Sequence, residues 1–106
     1  MSEDFKKTFK VEDIPPGTMK TFWFSDEDAV LIANVEGRFY AIGGICTHEQ
    51  WDLSEGTLVD KKVICAGHGT VWDLETGKGE FTEPLPDEPV YDVKIKDGYI
   101  WVKKRT

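Results

Sequence analysis

Apolar and polar positions alternate along this chain in short runs, the period-two pattern of strands, and no stretch sustains a helical period. Residues 5–11 read as a first strand. Ile14-Pro15-Pro16-Gly17 reads as a turn, because the prolines lack donors and Gly17 tolerates positive φ. Residues 19–24 form a second run, followed by the solvated turn Ser25-Asp26-Glu27-Asp28. Residues 30–35 and 38–42 flank Glu36-Gly37, a two-residue hairpin signal. The clearest pattern is C-terminal. Val93 and Ile95 alternate with Lys94 and Lys96, Asp97-Gly98 follows, and Ile100 and Val102 then alternate with Tyr99, Trp101 and Lys103. Asp-Gly between alternating runs predicts a type I′ hairpin. Strands this short, punctuated by Gly and Pro, predict an all-β antiparallel sandwich or small barrel. Repeats, low-complexity tracts and linkers are absent, so residues 1–106 read as a single domain. Only from Gly43 to Pro86 does the alternation weaken, and a long irregular stretch in a small domain usually carries function.

Composition narrows the function classes. The chain has 106 residues, 20 acidic and 13 basic, for a net charge of −7. Such acidity argues against nonspecific nucleic-acid binding, which needs Lys/Arg stripes, and against an anionic membrane surface. No apolar run approaches the ~20 residues of a membrane-spanning helix. Met1-Ser2-Glu3-Asp4 offers no apolar secretory core, so a cytoplasmic protein is expected. Two cysteines permit at most one intrachain disulfide, which is no disulfide scaffold.

All the cysteines and histidines lie in the irregular stretch, as Cys46-Thr47-His48 and Cys65-Ala66-Gly67-His68, with sixteen residues between the pairs. Two thiolates and two imidazoles on two loops are ligands suited to zinc or an iron–sulfur cluster. A Cys46–Cys65 disulfide is an alternative, but it leaves both histidines unexplained. Zinc sites usually open with two closely spaced cysteines, whereas each loop here carries one Cys and then one His. That order suits a site where each loop gives a thiolate to one metal and an imidazole to another.

This constellation resembles the Rieske [2Fe–2S] motif, in which two histidines replace two cysteines on one iron. The resemblance continues through Trp51, Leu53 and Gly56 after the first pair, and through Gly69, Trp72, Asp73 and Gly77 after the second. Pro84-Leu85-Pro86 sits where such domains place a proline segment beside the cluster. It implies a Rieske-like β-sandwich or barrel with an inserted cluster-binding subdomain of two loops, at about residues 43–86. It also implies one [2Fe–2S] cluster, with Cys46 and Cys65 on the inner iron and His48 and His68 on the outer iron. Thr70, Trp72, Trp51, Gly67 and Pro86 are the candidates for the surrounding shell.

The chemistry implied is one-electron transfer. Two ferric ions, two sulfides and two thiolates sum to a neutral core, whereas four thiolates leave a dianion. The neutral core accepts an electron more readily, which places Rieske centres at roughly −150 to +300 mV. High-potential members carry a Ser and a Tyr where this chain has Thr70 and Trp72, and add a disulfide for which no cysteine remains here. A low-potential, ferredoxin-type centre is therefore expected.

The remaining expectations concern partners. The chain has no dinucleotide-binding glycine motif and no histidine left for a mononuclear iron. By the resemblance it is not an enzyme but a monomeric electron carrier. It serves an NAD(P)H-dependent ferredoxin reductase and a terminal oxygenase such as an aromatic-ring dioxygenase. The alternatives are a small Rieske subunit of a nitrite-reductase-like enzyme and a zinc-stabilised binding module without redox chemistry. Residues 39–60 and 79–93 lack Lys and Arg but contain Glu49, Asp52, Glu55, Asp60, Glu80, Glu83, Asp87, Glu88 and Asp92. An acidic face around the histidines is expected to dock on a basic partner, with the basic residues, among them Lys103 and Lys104, elsewhere.

Overall fold

The hairpins anticipated from sequence form the frame of the molecule. In the computed structural model, which describes residues 5–25, 28–44, 52–65, 70–80 and 89–104, β3 (Asp28–Val35) and β4 (Arg38–Gly43) flank Glu36-Gly37. Strands β9 (Val90–Lys96) and β10 (Tyr99–Lys104) flank Asp97-Gly98. Both turns have positive φ at both central residues, 55° and 92° in the first, 56° and 80° in the second, which is the type I′ geometry. With β1 (Lys6–Lys10) and β2 (Met19–Ser25) these strands form a six-stranded antiparallel sheet in the order β1-β10-β9-β4-β3-β2. The expected first strand is shorter than residues 5–11. After Lys10 the chain enters a 3₁₀ turn, Val11–Asp13, where the Val11 N–H bonds the carbonyl of Gly98.

The edge strands β1 and β2 meet through side chains. The Phe9 and Phe22 rings stand edge-on at 5.4 Å, and the Lys20 ammonium lies 5.2 Å from the Phe9 ring. The sheet is thus nearly closed into a barrel around Ile14, Val30, Ile32, Ala41, Tyr91, Ile100 and Val102. Ile95, grouped with Val93 by alternation, is half exposed near the hairpin tip, where little covers it.

The stretch after Gly43 is less irregular than its sequence suggests. Strands β5 (Thr57–Val59), β6 (Lys62–Ile64), β7 (Val71–Asp73) and β8 (Gly79–Glu80) form a second antiparallel sheet in chain order. Two or three residues per strand is too few to display alternation, so only the glycines and ligand residues stood out. The small sheet packs Val63, Cys65, Trp72 and Leu74, with Leu53, against Leu31, Ala33 and Ile42 on the outer face of β3 and β4. β3 is therefore buried on both faces, and its run Ala29–Ala33 is continuously apolar for that reason. Its buried polar side chain, Asn34, is satisfied: the amide donates to the Ile14 carbonyl at 2.8 Å and accepts the Gly37 N–H at 2.7 Å. Among the described residues no helix is long and apolar enough to cross a membrane.

Candidate metal centre

Each of the two sequence pairs belongs to a segment whose ends the structure fixes. The first neck consists of Gly44 and residues 52–53. The Leu53 N–H donates to the Gly44 carbonyl at 2.9 Å, and the Gly44 N–H donates to Ala29 of β3 at 3.0 Å. Asp52 precedes a 3₁₀ turn, Leu53–Glu55, and its Oδ1 accepts from the Ser54 N–H at 2.9 Å and the Ser54 hydroxyl at 2.8 Å. The same oxygen accepts from the Thr21 hydroxyl on β2 at 2.5 Å.

The second neck lies between β6 and β7. The Cys65 N–H donates to the Thr70 carbonyl at 2.8 Å. Register places Ile64 opposite Val71, so Cys65 and Thr70 leave the same end of the small sheet. The two necks meet at Gly56. A Cβ on that residue would overlap the carbonyl oxygen of Ile64, the residue before Cys65, so only glycine lets the first segment approach β6 this closely.

The second neck is lined by polar atoms without partners. Cys65 is 2% exposed, and Thr70 and Trp72 are fully buried. Thr70 Oγ1 and Trp72 Nε1, together with Tyr40 Oη, are buried and without a hydrogen-bond partner. Buried hydroxyls and indole N–H groups are normally satisfied, so a pair of orphan donors beside a buried cysteine fits a group bearing acceptor sulfurs. Trp72 also packs on β8: a Cβ on Gly79 would stand 2.5 Å from its ring, so the indole lies against bare backbone there. Packing and an unsatisfied donor therefore coincide in Trp72.

Of the sequence-predicted site residues, the described part of the structure contains Cys65, Thr70 and Trp72, and brings all three to the buried side of β6 and β7. Cys46, His48, Trp51, Gly67, His68 and Pro86 lie outside the described residues, as do Glu49, Glu83, Asp87 and Glu88. Among the described residues no three Cys, His, Asp or Glu side chains converge as metal ligands. Sequence reasoning did not single out Thr21, Ser54 or Gly79. Thr21 and Ser54 are ordinary strand and turn residues whose role depends on contacts across 31 and two positions. Gly79 next to a strand turn was visible, but its partner Trp72 was not.

The expected acidic face is partly redrawn. Asp52 turns inward to Thr21 and Ser54. Asp60 sits in the β5–β6 turn, at the end of the small sheet opposite Cys65, because Val59 pairs with Lys62 and Thr57 with Ile64. Lys103 and Lys104 lie opposite Asp92 and Tyr91, at the start of β9, beside the end of β4 that leads into the first neck. Basic and acidic residues thus share that end of the large sheet.

Comparison with known proteins agrees with this arrangement. The biphenyl dioxygenase ferredoxin subunit of Pseudomonas sp. (strain KKS102) is 36% identical over 93 residues, covering 87% of this chain and 84% of that protein. Ferredoxin CarAc of Metapseudomonas resinovorans is 28% identical over 102 residues, covering 96% and 95%. A chain in a solved complex of reduced oxygenase and oxidized ferredoxin in carbazole 1,9a-dioxygenase superposes with a TM-score of 0.88 at 27% identity, covering 99% of both chains. The Rieske [2Fe–2S] domain matches residues 4–94, a span that includes both necks, the small sheet, the cysteine–histidine pairs and the large sheet as far as β9. With its near-closed barrel, its second sheet and its buried cysteine beside unpartnered donors, the chain belongs to the Rieske [2Fe–2S] domain family, whose cofactor is a [2Fe–2S] cluster.

Proposed function

We propose that this chain is a monomeric, single-domain one-electron carrier. It takes electrons from an NAD(P)H-dependent ferredoxin reductase and delivers them to a terminal oxygenase acting on aromatic rings, and it binds the cluster through Cys46, His48, Cys65 and His68. The observation that carries this reading is the near full-length match to relatives named as ferredoxins, one of them a biphenyl dioxygenase subunit. The ligand assignment draws on the residue pairs themselves and on the burial of Cys65 between two fixed necks.

The bound cluster supplies reversible one-electron chemistry. The chain contributes the setting. Leu53, Val63, Trp72 and Leu74, each at most 1% exposed, exclude water beneath Cys65. The Thr70 hydroxyl and the Trp72 indole N–H supply donors in that dry region, where hydrogen bonds to sulfur raise the tendency to accept an electron. The Cys65–Thr70 backbone bond holds thiol and hydroxyl in fixed relation.

Purified protein should be red-brown, contain iron and acid-labile sulfide in equal amounts, and bleach on addition of dithionite. Mixed with a ferredoxin reductase, NADH and a biphenyl-type oxygenase, it should make ring hydroxylation dependent on its presence. Colourless protein holding zinc instead of iron would select the binding-module alternative. A cluster that reduces normally but supports no oxygenase turnover would leave the cofactor standing and remove the partner. Sedimentation at micromolar concentration should give a mass near 12.0 kDa.

A further inference from the structure

One side chain touches both ends of the first neck. Thr21 lies on the outward face of β2, opposite Leu31, and therefore points toward the covered side of the barrel. Its hydroxyl donates to Asp52 Oδ1 at 2.5 Å, the short distance of an O–H···O⁻ bond. Its methyl lies against the other end: a Cβ on Gly44 would stand 3.0 Å from Thr21 Cγ2 and 3.2 Å from Ala29 Cβ. Asp52 is fixed in turn by two bonds from Ser54, so one carboxylate oxygen gathers three donors. Gly44 and Asp52 bracket residues 45–51, which contain Cys46 and His48.

We propose that Thr21 and Asp52 are positioning residues for the cluster. The bond from a barrel strand to the exit of the first segment sets where Cys46 and His48 are held, and so sets the hold and the magnetic signature of the cluster. The inference rests on the reading of those two residues as ligands. A bond confined to scaffold stability is a different case: among the described residues, the Thr21–Asp52 bond joins β2 directly to the segment's end. A charge-assisted bond in a half-buried site contributes enough to change a rate by roughly tenfold when one partner is removed. It also adds geometric restraint at a position two residues before Ser54 and four after His48.

The test uses the whole holoprotein in four forms: wild type, Thr21→Val, Thr21→Ser and Asp52→Asn. Valine keeps the methyl contact to Gly44 and removes the donor. Serine keeps the donor and removes the methyl. Asparagine keeps an acceptor oxygen and removes the charge. Three quantities are read: the half-time of bleaching under excess chelator, the electron paramagnetic resonance spectrum of dithionite-reduced protein, and thermal unfolding followed by far-ultraviolet circular dichroism. Thr21→Val is expected to shorten the bleaching half-time about tenfold and to broaden or shift the resonance. Thr21→Ser should restore both, and Asp52→Asn should fall between.

Equal bleaching and unchanged resonance in Thr21→Val overturn the inference, even if its unfolding midpoint falls, since that is the behaviour of a purely structural bond. Equal defects in the valine and serine variants overturn it too, because serine keeps the donor and retaining the hydrogen bond would then rescue nothing. Should Thr21→Val fail to fold, Asp52→Asn decides: a wild-type spectrum and half-time there count against the inference. The underlying ligand reading fails separately and visibly, if His48→Cys leaves the visible absorption of the purified protein unchanged.

Discussion

The two necks make opposite use of their polar groups. At the first, the polar groups of the described ends are engaged: Gly44 donates to β3 and accepts from Leu53, and Asp52 takes three donors on one oxygen. At the second, the Cys65–Thr70 backbone bond joins the two described ends, while among the described residues the Thr70 hydroxyl and the Trp72 indole N–H are buried and unpartnered. Saturated hydrogen bonding makes a rigid mount, because each remaining degree of freedom costs a bond. Unpartnered buried donors are costly in the bare protein and are retained where a bound group accepts from them. The contrast supports the proposed roles, placement at the first neck and tuning at the second.

The largest expected effect comes from removing the thiol at the second neck. Cys65→Ser should abolish essentially all visible absorption of the purified protein, read against total iron. Retention of a normal spectrum would remove Cys65 from the ligand set and with it the role given to that neck. Gly56→Ala comes next, because its Cβ overlaps the Ile64 carbonyl and must force the necks apart. We expect a loss of about 1–3 kcal/mol or more in urea unfolding, together with faster bleaching. An unchanged urea midpoint would show that the necks are independently supported.

Thr70→Val sharpens the comparison by its sign. In the cluster-free protein it removes an orphan hydroxyl, so stability should stay level or rise by up to about 1 kcal/mol. In the holoprotein the midpoint potential should fall by roughly 20–60 mV, the one-electron equivalent of a hydrogen bond of about 0.5–1.5 kcal/mol. A rise in potential, or a loss of cluster-free stability, would place the hydroxyl in the scaffold. The smallest effect is expected at the end of the small sheet away from both necks. Lys61 and Glu75 form a 3.6 Å ion pair, both about half exposed. Lys61→Ala should change the unfolding free energy by less than about 0.5 kcal/mol, and less still in high salt.

The frame of the molecule was legible in the chain because its cues are local. Asp97-Gly98 and Glu36-Gly37 specify their turns through backbone conformation alone, and β9 and β10 show their faces by alternation. The cysteine–histidine pairs stood out by count and spacing, though of the four only Cys65 lies among the described residues. The second sheet was not, since three-residue strands such as Val71–Asp73 carry no readable period. The inward turn of Asp52 was also hidden: a carboxylate in an acidic stretch reads as surface until Thr21, far away in sequence, is brought to it. Trp72 was a candidate for the surrounding shell by resemblance alone; its packing on Gly79 and its unpartnered nitrogen appear only once its neighbours are in place.

The double burial of β3 has a consequence for how the protein behaves when it breathes. Because Leu31, Ala33 and Ile42 are covered by the small sheet while Val30 and Ile32 line the barrel, detaching the small sheet uncovers an apolar stripe without dissolving the barrel. Such partial opening yields a compact, adhesive species. Amide exchange should then report two tiers, with β6 and β7 exchanging before β3. Aggregation of cluster-free protein should begin from that half-open form, while the barrel is still intact.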